Sequence, residues 1–270
     1  MDNPLSNSEQ NMFSLSKDAL LKLYDKKRKK EKTAEDKEDL GSPITAITSL
    51  IGEDLLLGLF DHYLQDKTAG DGIIWDPRLM YKCKGPGNKG SRLDAWIKTK
   101  KGKLYQAEAK NWCASAIGGV EVEDDYETNT EKTKSKCKKY TWPEAARHNR
   151  KRYLTHKDAI KPVWKVLVKT QSLEKEDPEH LLLFWSPVAP FEGASKDKLE
   201  PFFSVKSSEF AESIEETGLD LAVPYAEEVH IFSASNYLRQ TGAPSEFYIS
   251  MPRVRERLEE LRKLGFPIKC

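Results

Sequence analysis

A carboxylate and an ammonium group stand two residues apart in the segment Glu108-Ala109-Lys110. The surrounding residues, 103–112, predict a β-strand, in which successive side chains point to opposite faces of the sheet. Glu108 and Lys110 would then share one face, about 7 Å apart along the strand. The backbone carbonyl of Ala109 lies between them and is available as a further oxygen ligand.

A second acidic residue, Asp94, lies on the preceding predicted strand, 91–98, and the turn at 100–102 predicts that the two strands form a hairpin. Asp94 comes six residues before Lys100, and Glu108 comes six residues after Gly102, so pairing places the two carboxylates nearly opposite each other. Two like charges in that position destabilise a sheet. A divalent cation between them removes this cost, and carboxylates, a carbonyl and waters are the ligands that Mg²⁺ prefers.

A helix predicted at roughly 44–66 carries a third acidic candidate, Glu53. At about 100° per residue, Glu53 falls in the middle of an apolar stripe, whereas Asp54 and Asp61 fall beside it, toward the polar side. The stripe consists of Leu50, Leu57, Phe60 and Leu64. A carboxylate on a core-facing stripe needs a partner, because burying an unpaired charge is expensive. A metal site, or a lysine of the sheet, would supply that partner.

The remaining elements define the fold class and a possible substrate surface. Further strands are predicted at 72–83, 163–170, 181–188 and 229–233, and further helices at 143–157, 207–217 and 252–264. This order of elements is that of a mixed α/β protein. In the helix at 143–157, Arg147, Arg150 and Lys151 form one basic stripe, which either contacts phosphates or is a solvated face.

The residues Gly52-Glu53-Asp54, the segment 91–94 and Glu108-Ala109-Lys110, in this order, resemble the PD-(D/E)XK nuclease superfamily. The resemblance covers roughly residues 44–170, and Leu93 stands where the name-giving proline would be. It implies that Asp94 and Glu108 are metal ligands beside the Ala109 carbonyl. It also implies that Lys110 orients or activates the attacking water and that Glu53 assists in metal or water binding.

The resemblance further implies an α/β restriction-endonuclease-like core, a mixed central sheet flanked by helices, with N- and C-terminal helical extensions. We expect a charged helical extension at 1–42, a nuclease-like domain at 43–250 with its core at about 44–170, and a C-terminal helix at 251–270. The implied activity is hydrolysis of DNA phosphodiester bonds by an endonuclease that uses Mg²⁺, with Mn²⁺ as a substitute. Many nucleases of this kind act as dimers, so the resemblance also allows a homodimer.

Composition limits the alternatives without choosing among them. The net charge of the 270 residues is +1, so no global field points to a polyanionic partner, and local basic patches must supply any contact with nucleic acid. The four cysteines have no CxxC spacing, which removes the argument for a zinc or iron–sulfur motif. A polar N-terminus and the lack of an apolar run of about 20 residues predict a cytoplasmic protein without a membrane span.

Three alternatives to a DNA endonuclease stay open. A nuclease directed at RNA or at single strands would use the same core chemistry. A non-catalytic nucleic-acid-binding or assembly subunit would share the fold, although a binding module has no need for Glu-x-Lys opposite an aspartate. The third alternative is an unrelated α/β protein in which the motif is accidental.

Overall fold

The computed structural model describes residues 12–24, 43–75, 94–110, 120–122, 137–139, 178–185, 188–189, 199–206 and 228–265. The chain is a mixed α/β protein that divides into two compact units, one formed by residues 1–72 and 241–270 and the other by residues 73–240. None of the helices in the described ranges is long and apolar enough to cross a membrane. The described elements, in chain order, are β1 (Met12–Ser16), helical residues 17–24 (α1), α2 (Pro43–Lys67), β2 (Ile73–Ile74), β3 (Ala95–Thr99), β4 (Leu104–Lys110), β5 (Val120–Val122), β6 (Cys137–Lys139), β7 (Glu179–Phe184), β8 (Val188–Ala189), β9 (Phe202–Lys206), β10 (Glu228–Ser233), α3 (Ala234–Arg239), β11 (Glu246–Ser250) and α4 (Pro252–Lys263).

The first unit contains a two-stranded antiparallel ribbon of β1 and β11, with Phe13 opposite Ile249. The expected helical extension at 1–42 is therefore wrong at Met12–Ser16, which is a strand, and helical residues 17–24 follow it. The reason is the partner: β11 alternates buried Phe247 and Ile249 with exposed residues, and β1 completes its hydrogen bonding. A strand of this kind is stabilised by a segment more than 200 residues away, which local periodicity does not reveal.

Helix α2 confirms the predicted helix at 44–66 and packs on the ribbon within the same unit. Gly58 lies at the closest approach, since a Cβ atom there would overlap the Ile249 side chain and come within 3.0 Å of the Ser250 carbonyl. The helix is followed by Ala69 and Gly70 in the left-handed region, with φ of 54° and 78°. The N–H of Gly70 donates to the carbonyl of Gln65 at 3.1 Å, which satisfies one of the last helical carbonyls.

The second unit is built on a mixed six-stranded sheet with the order β2-β3-β4-β7-β10-β9. The three central strands, β4, β7 and β10, are parallel to one another. The pairs β2–β3, β3–β4 and β10–β9 are antiparallel. Helix α3 follows β10 directly, and its N-cap Ser233 accepts a hydrogen bond from the N–H of Asn236 at 3.1 Å. A separate three-stranded sheet has the order β6-β5-β8.

Several strand and helix predictions are confirmed with shifted limits. The hairpin is β3 and β4, the predicted strand at 229–233 is β10 followed by α3, and the C-terminal helix is α4. The predicted strand at 181–188 is β7 at Glu179–Phe184, whereas Val188 belongs to β8 in the smaller sheet. The predicted strands at 72–83 and 163–170 and the helices at 143–157 and 207–217 lie outside the described residues, apart from β2.

Candidate functional site

The hairpin of β3 and β4 places Asp94 and Glu108 at facing positions. Ala95 pairs with Ala107, and Asp94 is the residue immediately before β3. The same register, extended by one residue, puts Asp94 opposite Glu108. The hairpin arithmetic from the sequence is thus confirmed for the backbone, with the difference that Asp94 precedes the strand rather than lying within it.

A backbone hydrogen bond fixes the Asp94 carboxylate at this position. The N–H of Ala109 donates to Asp94 Oδ2 at 2.8 Å. Asp94 precedes β3, so at this end of the hairpin the Ala109 N–H bonds to the Asp94 side chain. The residue is only half-buried, so solvent reaches part of it.

Glu108 occupies a central and buried position in the sheet. It lies on β4 between the β3 hairpin partner and β7, where its backbone pairs with Leu182, and it is only 1% exposed. Tyr105, Ala107 and Ala109 alternate with it on the other face of the sheet and are also buried. An acidic side chain at such a site is expensive to bury unless it is protonated, hydrogen-bonded or close to a cation.

Lys110 is the last residue of β4, with its backbone opposite Phe184 of β7. It follows Glu108 by two residues in the same strand, as predicted. The Lys110 side chain lies outside the described part of the structure, as do Asn111 and Trp112. The same holds for Arg147, Arg150 and Lys151, the predicted phosphate contacts.

Glu53 belongs to the first unit, whereas Asp94, Glu108 and Lys110 belong to the second. The predicted orientation of helix α2 around Glu53 is wrong. The Glu53 side chain is 40% exposed, with an oxygen 4.0 Å from Arg253 Nη1, whereas Asp54 and Asp61, expected toward the polar side, are 4% and 3% exposed. Leu57, Phe60 and Leu64 are buried as expected, so the helix is covered over much more of its circumference than one stripe.

The burial of Asp54 has a structural explanation in helix α4. Arg257 Nη1 donates to Asp54 Oδ2 at 2.8 Å, and Arg253 Nη1 lies 3.5 Å from Asp54 Oδ1. Removal from water raises the pKa of Asp54 above its usual range, and the two guanidinium groups act in the opposite direction. Arg253 thus contacts both acidic side chains of the Glu53-Asp54 pair.

A row of buried polar side chains adjoins the facing carboxylates and was only partly visible in the sequence. Gln106, two residues before Glu108, pairs through its backbone with Trp96 of β3 and with His180 of β7. Gln106 and His180 are 0% and 3% exposed. Alternation along β4 places Gln106 on the same face as Glu108, whereas His180 is brought in by parallel pairing with β7, which has no local sequence signal.

The donor atoms at the end of the hairpin are of one chemical kind. Asp94 and Glu108 offer carboxylate oxygens, and the Ala109 carbonyl is part of the peptide chain between Glu108 and Lys110. Over the described residues, no cluster of three or more His, Cys, Asp or Glu side chains is assembled. A pair of carboxylates suits a Mg²⁺ that keeps several waters, because Mg²⁺ is commonly held by one or two carboxylates together with substrate phosphates.

Comparison with protein-family models finds no match for the chain. Comparisons with curated proteins and with solved structures likewise find none.

Proposed function

We propose that this chain is a Mg²⁺-dependent nuclease with a restriction-endonuclease-like core, and that it cleaves DNA internally. The observation that carries the proposal is the facing pair of Asp94 and Glu108, with the Asp94 carboxylate held by the Ala109 N–H at 2.8 Å. Two carboxylates opposed at the end of a hairpin are unfavourable without a cation. The Glu-x-Lys spacing then supplies a lysine next to the same pair.

The chemistry follows from the residues in this arrangement. When bound, Mg²⁺ would neutralise charge on the scissile phosphate and lower the pKa of a bound water. Asp94 and Glu108 would hold the cation through their carboxylate oxygens, with the Ala109 carbonyl as a further oxygen ligand. The Ala109 N–H fixes the Asp94 carboxylate at the position opposite Glu108, so little reorganisation is needed when the substrate arrives. Lys110 orients the attacking water or stabilises the charge that develops on the phosphate oxygens.

The remaining site residues enter the proposal from the sequence. By the resemblance to the nuclease superfamily, Glu53 would assist in metal or water binding, and the basic stripe of Arg147, Arg150 and Lys151 would contact substrate phosphates. A homodimer would let two such sites cut both strands of a duplex. RNA or single-stranded DNA as substrate is the alternative that requires no change in the chemistry.

The proposal is tested by incubating the protein with supercoiled plasmid, linear duplex, single-stranded DNA and RNA. Each substrate is assayed with Mg²⁺, with Mn²⁺ and with EDTA. The variants Asp94→Asn and Lys110→Ala are compared with the matched controls Asp66→Asn and Lys101→Ala, whose side chains are exposed on helix α2 and in the hairpin turn. We expect metal-dependent cutting in the wild type and in both controls, and its loss in Asp94→Asn and Lys110→Ala with unchanged circular dichroism.

Two outcomes would contradict the proposal. The first is the absence of cutting on every substrate together with the absence of Mg²⁺ and Mn²⁺ binding in calorimetry, which would leave a binding or assembly subunit. The second is cutting that persists in Asp94→Asn and Lys110→Ala, which would place the active site elsewhere. Cutting of RNA or single strands alone would retain the mechanism and change the substrate.

A further inference from the structure

Ser204, His230 and Glu179 form a hydrogen-bonded chain in the second unit. Ser204 Oγ lies 2.8 Å from His230 Nδ1, and His230 Nε2 lies 3.0 Å from Glu179 Oε2. Ser204 pairs with His230 through the backbone, and His230 pairs with Leu181, which pairs with Ala107. Because Ala107 and Glu108 point to opposite faces of β4, this chain lies on the sheet face opposite the facing carboxylates.

The two hydrogen bonds determine which nitrogen of the neutral His230 imidazole carries the proton. An ionised carboxylate only accepts hydrogen bonds, so Nε2–H donates to Glu179. Nδ1 is then unprotonated and accepts the hydroxyl hydrogen of Ser204. This is the arrangement in which an imidazole acts as a general base toward a serine, with the carboxylate orienting it.

Neighbouring side chains hold the His230 ring in this orientation. The Phe202 ring stacks on it with centroids 5.4 Å apart and an interplanar angle of 19°. The Tyr105 ring contacts it edge-on at 6.1 Å and 84°. On the far side of Glu179, Lys103 Nζ donates to Oε1 at 3.1 Å and holds the carboxylate in place. The imidazole is therefore held by the side chains of Ser204, Glu179, Phe202 and Tyr105.

We propose that Ser204 is a nucleophile with His230 as its base and Glu179 as a positioning residue, and that it accepts acyl groups from carboxylic esters. Ser204 Oγ forms a bond to the ester carbonyl carbon while its proton passes to His230 Nδ1. The carbon–oxygen bond to the leaving group breaks, and the departing oxygen takes the proton from His230. Water then adds its oxygen to the acyl carbon while one of its protons passes to His230. The bond from the acyl carbon to Ser204 Oγ breaks, Oγ takes the proton back from His230, and the carboxylic acid departs.

The surroundings allow a substrate to reach the serine. Ser204 is exposed, and the His230 side chain is 18% exposed. In the described part of the six-stranded sheet, β9 is an edge strand. Edge strands present backbone N–H groups, and these are the donors available to an oxyanion formed next to Ser204. The spacing of the three residues along the chain, 179, 204 and 230, gives no local motif, which is why the sequence did not indicate this site.

The probe for this site is a fluorophosphonate, which loses fluoride when a nucleophilic serine attacks its phosphorus. Adducts are located by peptide mass spectrometry, and the labelling rate is measured on intact protein. We expect one adduct at Ser204, absent in Ser204→Ala and unchanged in Ser14→Ala, which removes an exposed serine of strand β1. Labelling should be about 100-fold slower in His230→Gln, at the lower end of what a general base contributes.

Glu179→Gln separates an effect on the reactivity of Ser204 from an effect on stability. The Glu179 side chain is 36% exposed, and glutamine has the same size. We expect labelling of Ser204 to slow by about 10-fold in this variant, with an unchanged melting temperature, because a neutral amide replaces the carboxylate that orients the ring and faces the positive charge formed on it during the attack. A burst of p-nitrophenol from p-nitrophenyl acetate, stoichiometric with protein, should follow the same order among the variants. Equal labelling rates at Ser204 in the wild type, His230→Gln and Glu179→Gln, or no adduct at Ser204, would overturn the proposal.

Discussion

The backbone N–H of Ala109 donates a hydrogen bond to the carboxylate of Asp94 at 2.8 Å. Ala109 is the residue between Glu108 and Lys110, so one contact ties the three positions of the predicted motif on β4 to the acidic residue that precedes β3. The contact also closes the open end of the hairpin, because it occupies a peptide N–H that the β3 ladder does not reach. The candidate site and the stability of the hairpin therefore depend on the same side chain.

Replacing Asp94 separates these two roles. Asp94→Ala removes the acceptor of the Ala109 N–H and should lower the free energy of unfolding by about 1–3 kcal/mol, as for a partly buried donor left without its partner. Asp94→Asn keeps an acceptor oxygen, so its unfolding free energy should change by less than about 1 kcal/mol. Urea unfolding at neutral pH without metal measures both values. Equal losses in the two variants would mean that the hydrogen bond does not stabilise the hairpin.

Glu108→Gln tests the metal site without an activity assay. In the wild type, Mg²⁺ at 100 times its Kd should raise the free energy of unfolding by about 2.7 kcal/mol through mass action. In Glu108→Gln this gain should disappear, while stability without metal rises slightly, because the like charge facing Asp94 is removed. Thermal melts with Mg²⁺, with Ca²⁺ and with EDTA measure the shifts, and Asp66→Asn is the matched control. A full Mg²⁺ shift in Glu108→Gln would exclude Glu108 as a ligand.

The sequence predicted the hairpin because its information is local. The turn at Lys100-Lys101-Gly102 sets the register, and Gly102 adopts a φ of 91° that favours glycine. Once the register is known, the positions of Asp94 and Glu108 follow by counting. Helix α2 was predicted for the same reason, since its apolar residues recur at helical spacing within one segment.

The parts that the sequence did not predict depend on distant segments. Asp54 is buried because Arg253 and Arg257 approach it from a helix 199 and 203 residues further along the chain. Periodicity alone assigned that burial to its neighbour Glu53. In the same way, His180 joins Gln106 through parallel strand pairing, which carries no signal in a single sequence. The sequence therefore did not predict the burial of polar residues whose partners are far away along the chain.

His62 on helix α2 should make the stability of the first unit depend on pH. Partial burial, in contact with the Phe247 ring at 5.0 Å, lowers the pKa of His62, and Asp66 and Asp61 oppose this shift. A lowered pKa means that the His62 contribution is fully present above the ordinary value of 6.5 and is lost as the pH falls through the folded-state pKa. The difference in unfolding free energy between the wild type and His62→Gln should therefore shrink below about pH 6.5. Urea titrations between about pH 5 and pH 8 measure it, and a constant difference would contradict the assignment.

The contacts of Arg253 and Arg257 with Asp54 predict unequal losses on mutation. Asp54 is 4% and Arg253 10% exposed, so Arg253→Met leaves a buried carboxylate with much less compensation and should cost about 3 kcal/mol. Arg257 is 43% exposed, and solvent screens its charge, so Arg257→Met should cost about 1 kcal/mol despite its shorter contact. Urea unfolding at neutral pH compares the two, with Arg262→Met on the exposed end of α4 as the control.

The pH dependence of these losses distinguishes charge from packing. Because burial raises the pKa of Asp54, its contribution is fully present below the ordinary value of 3.8 and is lost as the pH rises through the raised pKa. The wild type should therefore lose unfolding free energy relative to Asp54→Asn as the pH rises through this window. Removing Arg253 raises the pKa of Asp54 further, so the loss in Arg253→Met should be smallest in acid, where Asp54 is protonated, and grow toward neutral pH. If that loss were the same at every pH, Arg253 would stabilise the first unit through the packing of its aliphatic stem rather than through its charge.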